Sequence, residues 1–128
     1  MTLALTHPMH WNTELSRMFD APNAETACEI VDTPEAYKIY LDVPGVRKED
    51  LELEVKDRKL HVLGERKPGE RPQHHKVLHQ ERQFGKFRRT FSLPEGIAED
   101  RAEAKFADGV LEIVLPKAPV KTNRILVN

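Results

Sequence analysis

The residue types that could perform catalysis are few in this chain, and none stands in a recognisable catalytic arrangement. The two serines, Ser16 and Ser92, lie outside any Gly-x-Ser-x-Gly sequence that would expose a nucleophile. Cys28 is the only cysteine and has no neighbouring histidine in the sequence, which favours a small buried side chain over a nucleophile. The six glycines are scattered singly and form no phosphate-binding loop. These patterns predict that the protein is not an enzyme and needs no cofactor.

A polar segment carries the remaining candidates for metal chemistry, His74, His75 and His79. Adjacent histidines on extended backbone point in opposite directions, and no cysteine follows at the spacing typical of a zinc site. The acidic pairs Glu49-Asp50 and Glu99-Asp100 are typical of solvated turns and caps rather than of a general acid and base. The sequence therefore predicts no metal site. A small metal hydrolase that uses the three histidines remains the competing enzyme hypothesis.

Length and composition narrow the class of protein further. The chain has 128 residues, enough for one domain with tails, and its formal net charge is −1 from 20 basic and 21 acidic residues. This balance disfavours nucleic-acid binding, which needs a basic surface. No segment has a signal-peptide pattern or the roughly 20 apolar residues that cross a bilayer. With a single cysteine, the expected location is a reducing one, the cytoplasm.

Short strands separated by turns predict an all-β fold, an antiparallel β-sandwich. Apolar residues alternate with polar ones in residues 37–43, 51–56, 60–65, 87–93 and 102–106. Asp108-Gly109 then forms a hairpin turn, since glycine adopts a positive φ without a steric clash. The following strand is apolar on both sides, with Leu111 on one and Val110 on the other. We expect its second face to be covered by another part of this subunit or by another subunit.

Two tails flank the predicted sandwich, which spans residues 28–117. In the N-terminal arm, residues 1–27, four apolar residues fall at helical spacing, which predicts a short helix in an arm that is otherwise disordered or is disordered throughout. A single short helix is marginal alone. The arm therefore either packs on its own domain or acts as a mobile, sticky segment. In the extended C-terminal tail, residues 118–128, Ile125 and Val127 point to the same side. Burying each would contribute roughly 1.5–3 kcal/mol. One such contact is weak after ordering costs, but many in a symmetric assembly are strong together.

Two features of the predicted sandwich, residues 28–117, point to subunit contacts. The polar segment 66–76 is long enough to leave its own sandwich, and the short run 77–81 has no evident partner strand at home. Strand exchange between subunits would provide one, and an ordinary surface loop is the alternative. Arg89 lies two residues from each of the apolar Phe87 and Phe91, so its side chain points to the same face of the predicted strand. It is therefore either a snorkelling arginine at a sheet edge or an interface arginine held by carboxylates.

Several motifs in this order resemble the small heat shock proteins, which carry an α-crystallin domain. They are Asp42-Val-Pro-Gly-Val46, then Phe87-x-Arg89-x-Phe91-x-Leu93-Pro94, then Ala104-x-x-x-Asp108-Gly109-Val110-Leu111, and finally Ile125-x-Val127. The family motif residues are thus Ala104, Gly109, Val110 and Leu111. The resemblance covers about residues 28–127 and is to the bacterial and plant branch. It implies an immunoglobulin-like sandwich that forms dimers and then larger homo-oligomers.

The resemblance also implies where the contacts lie. The loop of residues 66–81 would exchange a strand, with Val77, Leu78, His79, Gln80 and Glu81 pairing with the partner's Cys28, Glu29, Ile30 and Val31. Arg89 would be the interface arginine. Ile125 and Val127 would enter a neighbour's groove, whose residues are Leu51, Leu53, Val55, Ala104 and Phe106.

The function that the resemblance implies is that of an ATP-independent holdase, which binds exposed apolar surface of unfolding client proteins under stress. The groove and the apolar residues of the arm are the candidate client contacts. Those arm residues are Leu3, Leu5, Trp11, Leu15, Met18 and Phe19. A p23-like co-chaperone shares the sandwich but lacks the tail motif and the long loop, and it is the competing binding-module hypothesis.

Overall fold

The computed structural model describes residues 26–119 and 124–128, and two antiparallel β-sheets make up its body. Seven strands lie in this described part. They are β1 (Cys28–Asp32), β2 (Ala36–Asp42), β3 (Leu51–Lys56), β4 (Lys59–Arg66), β5 (Gly85–Ser92), β6 (Glu103–Ala107) and β7 (Val110–Pro116). Two single-turn 3-10 helices, Lys48–Asp50 and Glu99–Arg101, lead into β3 and β6. The predicted all-β sandwich is confirmed.

The strands form a four-stranded sheet in the order β1-β2-β7-β6 and a three-stranded sheet in the order β3-β4-β5. Within each strand of the core, every second side chain points into the space between the sheets, as the period of two requires. This interior contains a continuous apolar cluster from both sheets. Its most deeply buried members are Ile39, Leu41, Val43, Leu60, Val62, Phe91, Leu111, Ile113 and Leu115.

Two tight turns fix the hairpins, and both use the left-handed backbone region that two-residue turns require. Asp57 and Arg58 have φ values of +53° and +61°, and Asp108 and Gly109 have +56° and +75°. At Gly109 a β-carbon would also lie 3.3 Å from Cα of Pro44. The backbone N–H of Val43 donates to the Gly109 carbonyl at 2.7 Å, so the turn after β2 packs directly on the β6–β7 hairpin.

The outer face of β7 is the one that we expect another part of this subunit or another subunit to cover. Val110 and Val114 are only partly exposed. In register with Val114 lie Lys38 on one neighbouring strand and Glu103 on the other. Between the two valines, the Tyr40 hydroxyl donates to the Glu112 carboxylate at 3.2 Å. This face is therefore partly covered by its own sheet.

One cross-sheet contact sets how the two sheets are aligned. Arg89 on β5 reaches Thr26 and Cys28 at the start of β1, so β5 lies over β1. Given the strand orders, β3 and β6 consequently flank the opposite side of the sandwich. No helix among residues 26–119 and 124–128 has the length and hydrophobicity needed to cross a membrane.

Candidate functional site

Arg89 lies inside the sandwich, where it is 2% exposed, so the interpretation as a snorkelling arginine at a sheet edge is wrong. Its Nη1 donates to the Thr26 carbonyl at 2.6 Å, and Nη2 lies 3.6 Å from the Cys28 sulfur. The guanidinium also lies 5.3 Å from the centre of the Phe91 ring. A cation this deep is stable only with such partners. Arg89 thereby fixes the end of β1, and its role in a dimer interface stays a prediction.

A second buried arginine, Arg66, was not singled out from the sequence. It is 7% exposed, its Nε donates to the Pro44 carbonyl at 2.7 Å, and its guanidinium lies 6.0 Å from the Phe87 ring centre. The sequence interpretation placed Arg66 in the polar loop, but β4 includes it. The signal that could have found it is parity, because Arg66 shares the inward face with Leu60 and Val62. It holds the base of the loop against the turn after β2.

The loop between β4 and β5 spans residues 67–84 and contains no strand in the described chain. Its two ends are direct cross-strand neighbours, since Arg66 pairs with Gly85. Two to five residues would close such a hairpin, so this long loop is far more than the connection requires. Leu78 is 93% exposed and Val77 is 48% exposed. The predicted exchange segment, residues 77–81, thus presents apolar side chains that its own sandwich does not cover.

The predicted partner of this segment, β1, lies at the edge of the four-stranded sheet. It pairs with β2 along one side, from Cys28 opposite Leu41 to Asp32 opposite Tyr37. Along its other side, no strand of the described residues pairs with it. An edge strand of this kind offers backbone N–H and C=O groups to another chain. Inward, Cys28 and Ile30 pack against the core cluster.

The residues of the predicted groove belong to β3 and β6, each an edge strand of its sheet. Leu51, Leu53 and Val55 are each partly buried against the core, as is Phe106, while Ala104 is exposed beside the buried Ile113. Neither strand is paired along its outer side within the part of the chain that the structure describes. The apolar side chains of the predicted groove residues are thus incompletely covered, and the groove itself stays a prediction.

The C-terminal tail leaves the sandwich from a fixed point. The Lys117 N–H donates to the Glu35 carbonyl at 2.8 Å, and the Ala118 N–H donates to the Gly96 carbonyl at 2.6 Å. Lys117 Nζ donates to Asp32 at 2.6 Å, which raises the pKa of that lysine. Beyond, Ile125 is 89% exposed and Val127 is 95% exposed. Neither Ile125 nor Val127, which we call the plug residues, is buried in its own chain.

The remaining candidates from the sequence are the loop histidines and the apolar residues of the N-terminal arm. His79 lies 2.7 Å from the Glu81 carboxylate, an exposed pair in the loop. Residues 26–119 and 124–128 contain no group of three histidine, cysteine or acidic side chains that could hold a metal ion. The six client-contact candidates, Leu3, Leu5, Trp11, Leu15, Met18 and Phe19, lie outside the described residues.

Sequence comparison gives the same family as the motifs. The model of the Hsp20/alpha crystallin family matches residues 29–128. Spore protein SP21 of Stigmatella aurantiaca is 39% identical over 102 residues, covering 79% of this chain and 60% of that protein. The 18.1 kDa class I heat shock protein of Arabidopsis thaliana is 39% identical over 95 residues, covering 73% of this chain and 59% of that protein. The chain therefore spans about three fifths of the length of these relatives.

Solved structures agree with this result. A small heat-shock protein from Xylella fastidiosa matches with a TM-score of 0.71 and 33% identity, covering 80% of this chain and 95% of that one. The hspA structure from Xanthomonas axonopodis matches with a TM-score of 0.65 and 30% identity, covering 75% and 96% respectively. On the fold, the motifs and these similarities, the chain belongs to the Hsp20/alpha-crystallin family of small heat shock proteins.

Proposed function

We propose that this protein is an ATP-independent chaperone that captures unfolding proteins through apolar surface which its own sandwich leaves uncovered. The observation that carries the proposal is the exposure of three short apolar stretches: the loop pair Val77-Leu78, the tail from Ile125 to Val127, and the half-buried groove of β3 and β6. Exposed apolar residues that form continuous surface, unlike single scattered ones, mark binding sites. Family membership supports a chaperone role in the stress response.

The first proposed contact is a dimer made by strand exchange through the loop of residues 66–81. Residues 77–81 would add to the open edge of the partner's β1, so that Cys28, Glu29, Ile30 and Val31 gain a neighbour strand. Each backbone hydrogen bond formed contributes about 0.5–1.5 kcal/mol net, and the exchange is reciprocal. Leu78 gains cover at the same time. Arg89, which fixes the start of β1, would act in this interface by holding the accepting strand in place.

The second proposed contact links dimers into a larger assembly. Ile125 and Val127 of one copy would enter the groove of another, where Leu51, Leu53 and Phe106 are half-buried. Two such side chains contribute roughly 3–6 kcal/mol before ordering costs of about 1 kcal/mol per fixed residue. A single tail is therefore held weakly, which corresponds to a Kd on the order of millimolar. Contacts of this strength release readily and expose the groove to a client.

The domain division that follows is an N-terminal arm, residues 1–27, a sandwich, residues 28–117, and a tail, residues 118–128. The start of β1 at Cys28 and the backbone contacts of Lys117 support these limits. The arm's apolar residues are proposed client contacts together with the groove. The single cysteine is consistent with a cytoplasmic location. Neither a cofactor nor a nucleic acid is part of this mechanism.

Light scattering of a heated model client in the absence of ATP tests the proposal. We expect the protein to suppress client aggregation at a near-equimolar subunit ratio, with an equal mass of serum albumin as the inert control. Aggregation at the control rate would contradict the holdase function. Native mass of the same sample separates this from a p23-like co-chaperone, which would be a stable monomer.

Variants assign the assembly contacts separately. Ile125→Ala with Val127→Ala should reduce the assembly toward dimers, whereas Val77→Asp with Leu78→Asp should reduce the dimer toward monomers. Leu126→Ala is a matched control in the tail, since this residue points away from the side of Ile125 and Val127. An unchanged native mass of the Ile125/Val127 variant would exclude the tail contact and leave the dimer contact untouched.

A further inference from the structure

Acidic residues on β3 and an arginine in the tail lie where the proposed tail contact forms, and neither has a charged partner in the described chain. On β3, Glu52 and Glu54 are exposed and alternate with the half-buried groove residues. Arg124 is exposed and directly precedes the plug residue Ile125. Among the described residues, none of these three side chains makes a hydrogen bond or an ion pair. The outward face of β3 also carries Lys56, so its exposed charges sum to −1, while the tail beside Ile125 carries a positive charge.

Strand geometry brings the two sets onto the same face. On an extended tail, Ile125 and Val127 point to one side and Arg124 to the other. If the plug residues share the inward face of Leu51, Leu53 and Val55, then Arg124 must share the outward face of the two glutamates. This holds for either direction of the tail, because a directly opposite or diagonal neighbour on β3 is then Glu52 or Glu54. Diagonal neighbours are still within reach of a long arginine side chain.

The opposite rim of the groove provides no comparable charge. On β6 the outward residues Glu103 and Lys105 carry opposite charges and sum to zero, whereas Glu52, Glu54 and Lys56 on β3 sum to −1. A cationic tail is therefore attracted toward β3 rather than toward β6. The carboxylates of β3 also have the planar geometry that a guanidinium recognises best, which a lysine would match less well.

We infer that Arg124 of one copy pairs with Glu52 and Glu54 of a neighbouring copy, and that this pairing makes tail docking selective for copies that carry the acidic rim. The inference rests on the proposed tail–groove contact and adds the determinant of its specificity. Exposed ion pairs change an equilibrium by about two- to fivefold, so the pairing adjusts exchange and partner choice while the apolar plug provides most of the affinity. It should weaken as salt is raised, because screening lengths fall to about 3 Å at 1 M salt.

Subunit exchange between two fluorescently labelled pools of the full chain tests the inference. We expect Arg124→Glu to exchange roughly two- to fivefold faster than the unmodified protein in low salt, and Glu52→Lys with Glu54→Lys to do the same. The triple variant that combines all three reversals should return to a rate close to the unmodified one. Mixing the triple variant with the unmodified protein should give fewer mixed assemblies at equilibrium than random mixing predicts, because each mixed tail contact places like charges together.

A matched reversal on the other rim, Glu103→Lys, controls for net charge and should neither accelerate exchange nor compensate Arg124→Glu. The charge pairing would be overturned if the triple variant exchanged as fast as the product of the two separate accelerations predicts. It would also be overturned if Glu103→Lys restored the exchange rate of the Arg124→Glu variant. If instead the Ile125→Ala, Val127→Ala variant keeps its native mass, the tail contact itself is absent and both proposals about the tail fail. The two failures are therefore distinguishable.

Discussion

The close packing of Gly64 against Phe87 makes a sharp prediction, because the structure leaves no room for a side chain there. The two residues are cross-strand neighbours on β4 and β5, and a β-carbon on Gly64 would lie 2.4 Å from Cζ and 2.8 Å from Cε1 of the Phe87 ring. Phe87 is 8% exposed, so its ring cannot move without losing buried contacts. Leu51 of the groove is the next residue in this cross-strand row. The row thus links the core to the proposed tail contact.

The magnitude follows from overpacking. Inserting a methyl group into a filled site costs typically about 1–3 kcal/mol, and partial exposure of a phenylalanine costs a similar amount. Replacing glycine also stiffens the unfolded chain, which returns about 0.4–1 kcal/mol. Gly64→Ala should therefore lower the free energy of unfolding by about 1–2 kcal/mol. Urea unfolding followed by far-UV circular dichroism measures this at a fixed protein concentration, since assembly makes stability concentration-dependent.

Two further variants make the test specific. Gly69→Ala is the matched control, because nothing lies within 4 Å of its β-carbon position, and it should leave stability nearly unchanged. Phe87→Leu should relieve the clash, so that the double variant is more stable than the sum of the two separate effects predicts. A Gly64→Ala protein as stable as the unmodified one, or strictly additive effects in the double variant, would refute the packing argument.

Two other predictions concern buried and partly buried polar groups. Arg89→Met removes the donor to the Thr26 carbonyl while keeping much of the apolar volume. It should lower the free energy of unfolding by about 1–3 kcal/mol in the same urea assay. An unchanged free energy of unfolding would show that this hydrogen bond is not formed. The pKa of Tyr40 lies above its ordinary value of 10.0, mainly through desolvation and next through its hydrogen bond to Glu112. In a Tyr37→Phe background, ultraviolet titration should give a midpoint above 10.0 that Glu112→Gln lowers, and an unchanged midpoint would contradict the contact. Because the folded pKa is the higher one, this contribution to stability is present below pH 10 and is lost as pH rises through the folded value.

The sandwich could be predicted from the sequence because period-two alternation and turn residues are local signals. The strand from Leu51 to Lys56 alternates cleanly between apolar and polar residues, as its sequence predicts. Asp108-Gly109 forms the predicted hairpin turn between β6 and β7. The turn at Asp57-Arg58 was also predicted, although a non-glycine residue occupies its second left-handed position.

What the sequence left open depends on long-range contacts. A charged residue beside a proline-rich segment resembles loop sequence, whereas the burial of Arg66 depends on distant partners that include the Pro44 carbonyl and the Phe87 ring. Arg89 had two interpretations because parity reports which face a residue occupies and not what lies opposite. The pairing of Val114 with Lys38 depends on strand order, which alternation does not encode.

The proposed chaperone function requires that this chain captures unfolding proteins by itself, without ATP. The most direct measurement is to heat a model client with the protein in ATP-free buffer and to separate the mixture by size-exclusion chromatography with mass detection. We predict that the client elutes in a soluble, high-mass fraction together with the protein. If the client precipitates while the protein elutes alone at its unheated mass, the claim is contradicted.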